Sequence, residues 1–166
     1  MSAAYPRSST EQAVVLAQAI QLAQRVHLGQ TDRTGQPYIG HVMRVVAACT
    51  TDFERTCAAL HDVVEDSPTT LDELRAMGFA EAVVSVVATL TKGESEAYEA
   101  YIARVEQEPR AWRIKLADLT DNLDLRRLLT LTDADWARIQ RYHAAYVRLR
   151  SLLAQRAAES NIGDAS

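Results

Sequence analysis

An all-α domain is what the 166-residue sequence predicts, and three observations predict it. Ala, Val and Leu dominate the apolar 48%, while Gly, Pro and aromatic residues are few, a balance that suits helices better than a sandwich or barrel. Helix-start signals punctuate the chain, a Ser or Thr followed three residues later by Gln or Glu. The one valine-rich run that also suits a buried strand, EAVVSVVATL, has no strand-like partner elsewhere.

Taken in order, about eight helices follow, with short connections. Ser9 with Gln12 opens the first, whose apolar stripe is Leu16, Ala19, Ile20, Ala23 and Val26, and it stops near Gly29. A loop punctuated by Gly29, Gly35 and Pro37 leads to a second helix, with Pro37 in its first turn and His41, Val42, Val45 and Val46 along it. The third begins after Asp52 and runs through Thr56, Leu60 and His61 to about Asp66, where Ser67-Pro68 ends it. Thr70 with Glu73 caps a short fourth helix closed by Gly78. EAVVSVVATL is read as the fifth, Glu94 to Glu108 as the sixth, and WRIKLADLTDNLDLRRLL, opened by Pro109, as the seventh. Thr132 or Asp133 caps the last, from about Ala134 to Ala157. One domain over 9–157 is expected, with 1–8 and 158–166 as loose polar ends.

The formal net charge of −4 and the absence of a Lys/Arg block give no reason to expect nucleic acid or an anionic membrane, but leave room for a small anionic ligand. No run of 18 apolar residues exists, and MSAAYPRSSTEQ has no apolar signal core, so a cytoplasmic protein is expected. Cys49 and Cys57 lie in apolar helical runs and read as buried free thiols of a reduced compartment. Exposed helix faces are compatible with a homodimer.

The chemistry is carried by His41, the His61-Asp62 pair and Asp118 on the apolar helix IKLADL. Singly each is ordinary: a core histidine, a chance dipeptide, a carboxylate costly to bury unpaired. Together they offer four ligands and two negative charges, which match a divalent ion. Mixed N/O ligation favours Mn²⁺ or Fe²⁺, and zinc also accepts such donors. A metal so held would lower the pKa of a bound water and offset charge on a phosphoryl oxygen. Glu65 and Asp66 stand four residues after His61 and Asp62, so Glu65 is the candidate to orient or deprotonate the water, with Asp66 as helper. The alternative for this pair is a solvated acidic helix end. Lys115, Asp118 and Asn122 share one helix face, where Lys115 could meet a phosphate and Asn122 a substrate or a ligand; both could instead be ordinary surface residues.

The order HLGQ…GQPYIGH…ALHDVVED…TTLDELRAMGF…LTK…IKLADLTDN resembles the hydrolase domain of the RelA/SpoT family, and more closely the stand-alone small alarmone hydrolases of the HD-domain superfamily. The likeness spans about residues 11 to 130. It implies an all-helical fold, Mn²⁺ held by His41, His61, Asp62 and Asp118, the catalytic acids Glu65 and Asp66, and a substrate-contacting Asn122. The implied reaction removes the 3′-pyrophosphate of (p)ppGpp with water. Departures fall on substrate positions. Where the family carries two basic residues before PYI, the first packing on guanine, this chain has Asp32 and Arg33. Leu119, Asp124 and Leu125 also replace residues suited to nucleotide contact. Arg33, Arg44, Lys92 and Arg126 remain candidate phosphate contacts. His27 and Gln30 match the H-x-G-Q run, with His27 bonding the loop that presents His41. His143 is expected as a surface or packing residue, and Tyr142 and Tyr146 in core packing rather than a base pocket. The alternatives are the same metal chemistry on another nucleotide or phosphate ester, and a metal-holding nucleotide sensor without turnover.

Overall fold

The computed structural model describes residues 5, 8–128 and 130–163. Among these are eight α-helices: α1 (Ser9–Val26), α2 (Ile39–Ala48), α3 (Asp52–Leu60), α4 (Leu71–Ala76), α5 (Glu81–Leu90), α6 (Tyr98–Glu106), α7 (Trp112–Asn122) and α8 (Asp133–Gly163). A 3₁₀ turn, Leu125–Arg127, joins α7 to α8. Among the described residues no strand forms, only an isolated bridge between Thr31 and Pro37. The all-α expectation holds, and EAVVSVVATL is α5, burying Val83, Val84, Val86, Val87 and Leu90.

The core is built around α3. Its residues Thr56, Cys57, Ala58, Ala59 and Leu60 are all buried, so no side of the helix end faces water. Small side chains at 57–59 let α1, α2, α5 and α7 approach closely, and α3 packs on all four. Thr56, the polar member, donates its hydroxyl to Asp52 O at 2.7 Å and so leaves no unpaired group inside. Helix α7 packs on α2 and α3 and is covered in turn by α8. The packing of α2, α3 and α7 on one another is what positions the functional site.

Helix ends differ from the sequence expectation where a stronger cap lies one residue away. The first capping box uses Ser8 and Glu11, not Ser9 and Gln12, because Glu11 accepts from both the Ser8 amide and its hydroxyl. A further box, Thr51 with Glu54, starts α3 at Asp52. The α3 helix stops at Leu60, and residues 61–65 continue as successive turns rather than as helix to Asp66. Helix α6 starts at Tyr98, not Glu94, because Glu96 turns back to accept from Gly93 N and from Arg104. Helix α7 ends at Asn122, before the 3₁₀ turn. The α4 cap is as expected, with Thr70 and Glu73 at its start and Gly78 at φ +91° behind it, a conformation that favours glycine.

Residues 1–4, 6, 7 and 164–166, expected as parts of the loose ends, lie outside the described residues. Within those expected ends, Tyr5 packs edge-on against Phe53 with ring centroids 5.0 Å apart. At the other end α8 continues past Ala157 to Gly163.

Candidate metal centre

Three packed helices bring the four predicted ligands together. His41 lies in the first turn of α2, His61 and Asp62 directly follow α3, and Asp118 is in the middle of α7. His41 Nε2 stands 3.3 Å from Asp118 Oδ1 and 3.6 Å from Asp62 Oδ2. His61 Nε2 stands 3.0 Å from Asp62 Oδ2 and 3.8 Å from Asp118 Oδ1. One donor atom each from His41, His61 and Asp62 lies within 4.8 Å of the others, as a shared ion requires.

The orientation of both imidazoles is fixed from behind. His61 Nδ1 faces Ala58 O at 2.7 Å, and His41 Nδ1 faces Asp121 Oδ2 at 2.6 Å. Each Nδ1 therefore carries the proton, and each Nε2 is turned inward. His61 Nε2 is buried without a hydrogen-bond partner, a costly state unless something at the centre satisfies it. Donors bonded to one ion at ~2.1 Å stand roughly 3.0–3.4 Å apart, close to the spacings seen. The donor set thus fits a divalent metal.

Charge at the centre points the same way. Burial disfavours a charged His41, yet hydrogen bonds donated to Asp118, Asp121 and Asp62 outweigh it and raise its pKa to about 11. Burial likewise opposes His61, but the Asp62 and Asp118 carboxylates beside it raise it to about 10. The Asp62 carboxyl is held far below its ordinary range, its burial outweighed by His61 and His41. Asp118 is also lowered, its burial outweighed by Lys115 and the two imidazoles. The two carboxylates draw positive charge to this point, protons on the imidazoles or a cation in their place.

Glu65 and Asp66 stand at the mouth, exposed on one side and walled by protein on the other. Glu65 Oε2 accepts the Lys92 amide at 2.9 Å, which turns its carboxyl into the cavity. Burial pushes both carboxyls upward, helped by the Asp62 charge. Lys115 donates to Asp118 Oδ2 at 2.5 Å, and Asn122 donates to Asp118 Oδ1 at 2.6 Å. These two residues therefore orient the aspartate, and both also line the cavity.

That cavity, about 380 Å³, is lined by the acids Asp62, Glu65, Asp66 and Asp118 and by the bases Arg33, Lys92, Lys115, Arg138 and Arg141. A second cavity of about 220 Å³ adjoins it and shares Arg33, Tyr38, Asn122, Arg138 and Tyr142. Of the phosphate candidates, Arg33 and Lys92 are here. Arg44 and Arg126 are not: they line an open groove of about 560 Å³ beyond the 3₁₀ turn, bonded to Asp121 and Asp124. Tyr142 packs on the core and stacks on Tyr98 at 5.5 Å, but it also lines both cavities, which core packing alone does not describe. Tyr146 lines the 560 Å³ groove. His143 is exposed, as expected. His27 is buried with Nδ1 2.7 Å from Gln30 Oε1, and Gln30 O accepts the Tyr38 amide, so it does brace the loop before His41.

Sequence reasoning missed three residues. Tyr38 donates its hydroxyl to Asp62 Oδ2 at 2.6 Å, Asp121 braces His41, and Arg138 is buried between the cavities with an unbonded Nε. Asp32 lines the smaller cavity, but its carboxylate is bonded into its own loop, accepting from Thr34 N at 2.8 Å, Thr34 Oγ1 at 2.6 Å and Gln36 N at 3.1 Å. Burial opposes its charge, but these hydrogen bonds and Arg127 hold its pKa below the usual range.

A helical bundle that gathers two imidazoles and two carboxylates where three helices meet, beside a cavity lined by acids and bases, defines a class of domain suited to hold a cation. The match to known proteins makes it specific. Residues 19–135 match the family described as HD domain, and the chain belongs to that family. It is 34% identical over 122 residues to guanosine-3′,5′-bis(diphosphate) 3′-pyrophosphohydrolase MESH1 of Danio rerio, covering 67% of each chain. It is 35% identical over 103 residues to the guanosine-3′,5′-bis(diphosphate) 3′-pyrophosphohydrolase of Aquifex aeolicus, covering 55% of this chain and 15% of that one. The chain thus spans about 15% of the length of such long relatives. A solved structure, reported as a metazoan ortholog of SpoT that hydrolyses ppGpp, superimposes with a TM-score of 0.64 at 25% identity, over 93% of this chain and 98% of that one.

Proposed function

We propose that this protein is a Mn²⁺-dependent phosphohydrolase that removes the 3′-pyrophosphate of (p)ppGpp, acting in a reducing cytoplasm. The observation that carries it is one cavity that brings together Asp62 and Asp118 of the His/Asp cluster, the acids Glu65 and Asp66, and the basic side chains of Arg33, Lys92, Arg138 and Arg141. Names of relatives support the substrate. Buried, unpaired Cys49 and Cys57, with the Cys49 thiol pushed up to about 12 by burial, support the compartment.

In this reading His41, His61, Asp62 and Asp118 hold the ion, and mixed imidazole and carboxylate donors favour Mn²⁺, with Fe²⁺ or Zn²⁺ also accepted. The bound ion supplies Lewis acidity toward water and a phosphoryl oxygen. Glu65 takes the proton of the attacking water, held in line by the Lys92 amide. Asp66 stands beside it and helps orient the water. The water oxygen joins phosphorus, the bond from phosphorus to the ribose 3′ oxygen breaks, and that oxygen takes a proton from solvent while Glu65 releases its own. Arg33, Lys92 and Arg138 face the phosphates, and the buried unbonded Nε of Arg138 is ready for an anionic oxygen. Asn122 and Lys115 keep Asp118 aimed.

One observation favours a second reading, the same chemistry on another nucleotide. The resemblance places a base-stacking basic residue at position 32, where Asp32 is folded into its own loop. Incubation with ppGpp and Mn²⁺, products separated by ion exchange, tests both readings. Metal-dependent GDP and pyrophosphate, absent with Asp62→Ala, supports the first. Unchanged ppGpp in metal-loaded protein overturns it and sends the search to a nucleotide panel.

A further inference from the structure

A line of charged contacts leaves the metal centre on the side away from Glu65, and the proposed reaction makes no use of it. It starts at His41, whose Nδ1 faces Asp121 Oδ2 at 2.6 Å. The same carboxylate is gripped by Arg44, Nε to Oδ1 at 2.5 Å and Nη2 to Oδ2 at 3.1 Å. Arg127 Nη1 lies 3.4 Å from Asp121 Oδ2 and 3.6 Å from Asp32 Oδ2. The Asp121 side chain is only 9% exposed.

We propose that Asp121 is a positioning residue for the metal centre: restrained by Arg44 and Arg127, it holds His41 with Nδ1 protonated and Nε2 turned to the ion. The proposal rests on the metal reading above. An imidazole can bind a metal through either nitrogen, and an acceptor behind one of them selects the other. His61 uses a neutral carbonyl from its own helix, Ala58 O, so its orientation is set locally. His41 has no such local acceptor and depends on a carboxylate 80 residues away. An exposed aspartate could rotate out of that role. Two oxygens bonded to one guanidinium, with a second guanidinium beside them, cannot rotate freely.

The same line explains Asp32. It is the counter-charge of Arg127, and it holds residues 32–36 in a closed loop, Gly35 N donating to Asp32 O at 2.9 Å with Gly35 at φ +77°. The residue that departs from the family at the substrate loop therefore belongs to the brace behind His41.

The test is Mn²⁺ affinity of the full chain, read from the electron paramagnetic resonance signal of free Mn²⁺, for wild type, Asp121→Ala, Asp121→Asn and Arg44→Met. Asp121→Ala is expected to bind Mn²⁺ ~10–100-fold more weakly. Asp121→Asn keeps an oxygen acceptor without the charge and should fall between. In the Zn²⁺-loaded protein, histidine-selective NMR should show the His41 Nδ1 proton in wild type and lose it in Asp121→Ala, while the His61 signal stays. A merely structural Asp121 would lower the melting temperature and leave affinity and the His41 signal unchanged, which overturns the proposal. Should Asp121→Ala not fold, Asp121→Asn and Arg44→Met decide: wild-type affinity in both overturns it. Wild-type protein that binds neither Mn²⁺, Fe²⁺ nor Zn²⁺ instead removes the metal reading itself.

Discussion

Glu65 meets two conditions of a general base, reach and readiness. Its carboxyl is turned to the cavity by the Lys92 amide, and burial raises its pKa above the ordinary 4.5. A base acts only when deprotonated, so turnover should fall as pH drops through this raised value, at higher pH than for a solvated glutamate. Glu65→Gln should keep its metal and lose ~10²–10⁴ in kcat, together with that acid limb. Full activity in the variant would take Glu65 out of the mechanism. That these candidates would come together was legible because HDVVED, a lone upstream histidine and a carboxylate inside an apolar helix are each odd for a core. Asp121 and Arg138 were not legible. One is among 22 acids and the other among 18 bases, and what sets each apart is a tertiary neighbour. Lys115 and Asn122 were found by helical spacing, though spacing did not reveal that both would bond Asp118.

Among the elements, α3 carries both the core and the ligands that follow it, and its start is fixed by Glu54. That side chain accepts from Thr50 N, Thr51 N and the Thr50 hydroxyl, and lies 3.5 Å from Arg113. Burial pushes its pKa up, but those bonds and Arg113 outweigh it, leaving it below 4.5. A carboxyl with a depressed folded pKa stabilises fully above its unfolded value and loses that contribution as pH falls through the folded one. Glu54→Gln should therefore be less stable than wild type at neutral pH, and the gap should close as pH drops below 4.5. Urea unfolding at several pH values reads this directly; a gap that stays constant down to pH 3 removes the charge from the argument. Separately, Thr51→Ala should cost ~1 kcal/mol by the loss of its cap to Glu54 N. Helix number and order were legible because apolar periodicity is dense along the chain. Helix ends were not, because they turn on side chains choosing among neighbouring backbone groups. Ser8 over Ser9 and Glu96 over Glu94 are such choices, and the end of α3 at Leu60 depends on what the turns at 61–65 must present.

For the whole molecule, an ion held by His41, His61, Asp62 and Asp118 would cross-link α2, α3 and α7, and its removal should be felt in global stability. Free Mn²⁺ at a hundred times its dissociation constant stabilises the native state by ~2.7 kcal/mol, which for a chain of this size is a melting shift of roughly 5–10 °C. Chelation should lower the melting temperature by that order, and Asp62→Ala should show no metal-dependent shift. The size of the shift should depend on pH. In the metal-free protein His41 and His61 titrate at about 11 and about 10, against an ordinary 6.5. Raised histidine pKa values stabilise the metal-free fold fully below 6.5, a contribution that fades as pH climbs toward 10 and 11. A metal needs the neutral Nε2 and must displace those protons, so its apparent affinity rises with pH. Both trends have the same consequence: the chelator-induced drop should be smaller at pH 6 than at pH 8. Melting curves with and without chelator at the two pH values check it. An equal drop at both would mean that the ion does not compete with protons at His41 and His61, and that it binds elsewhere in the chain.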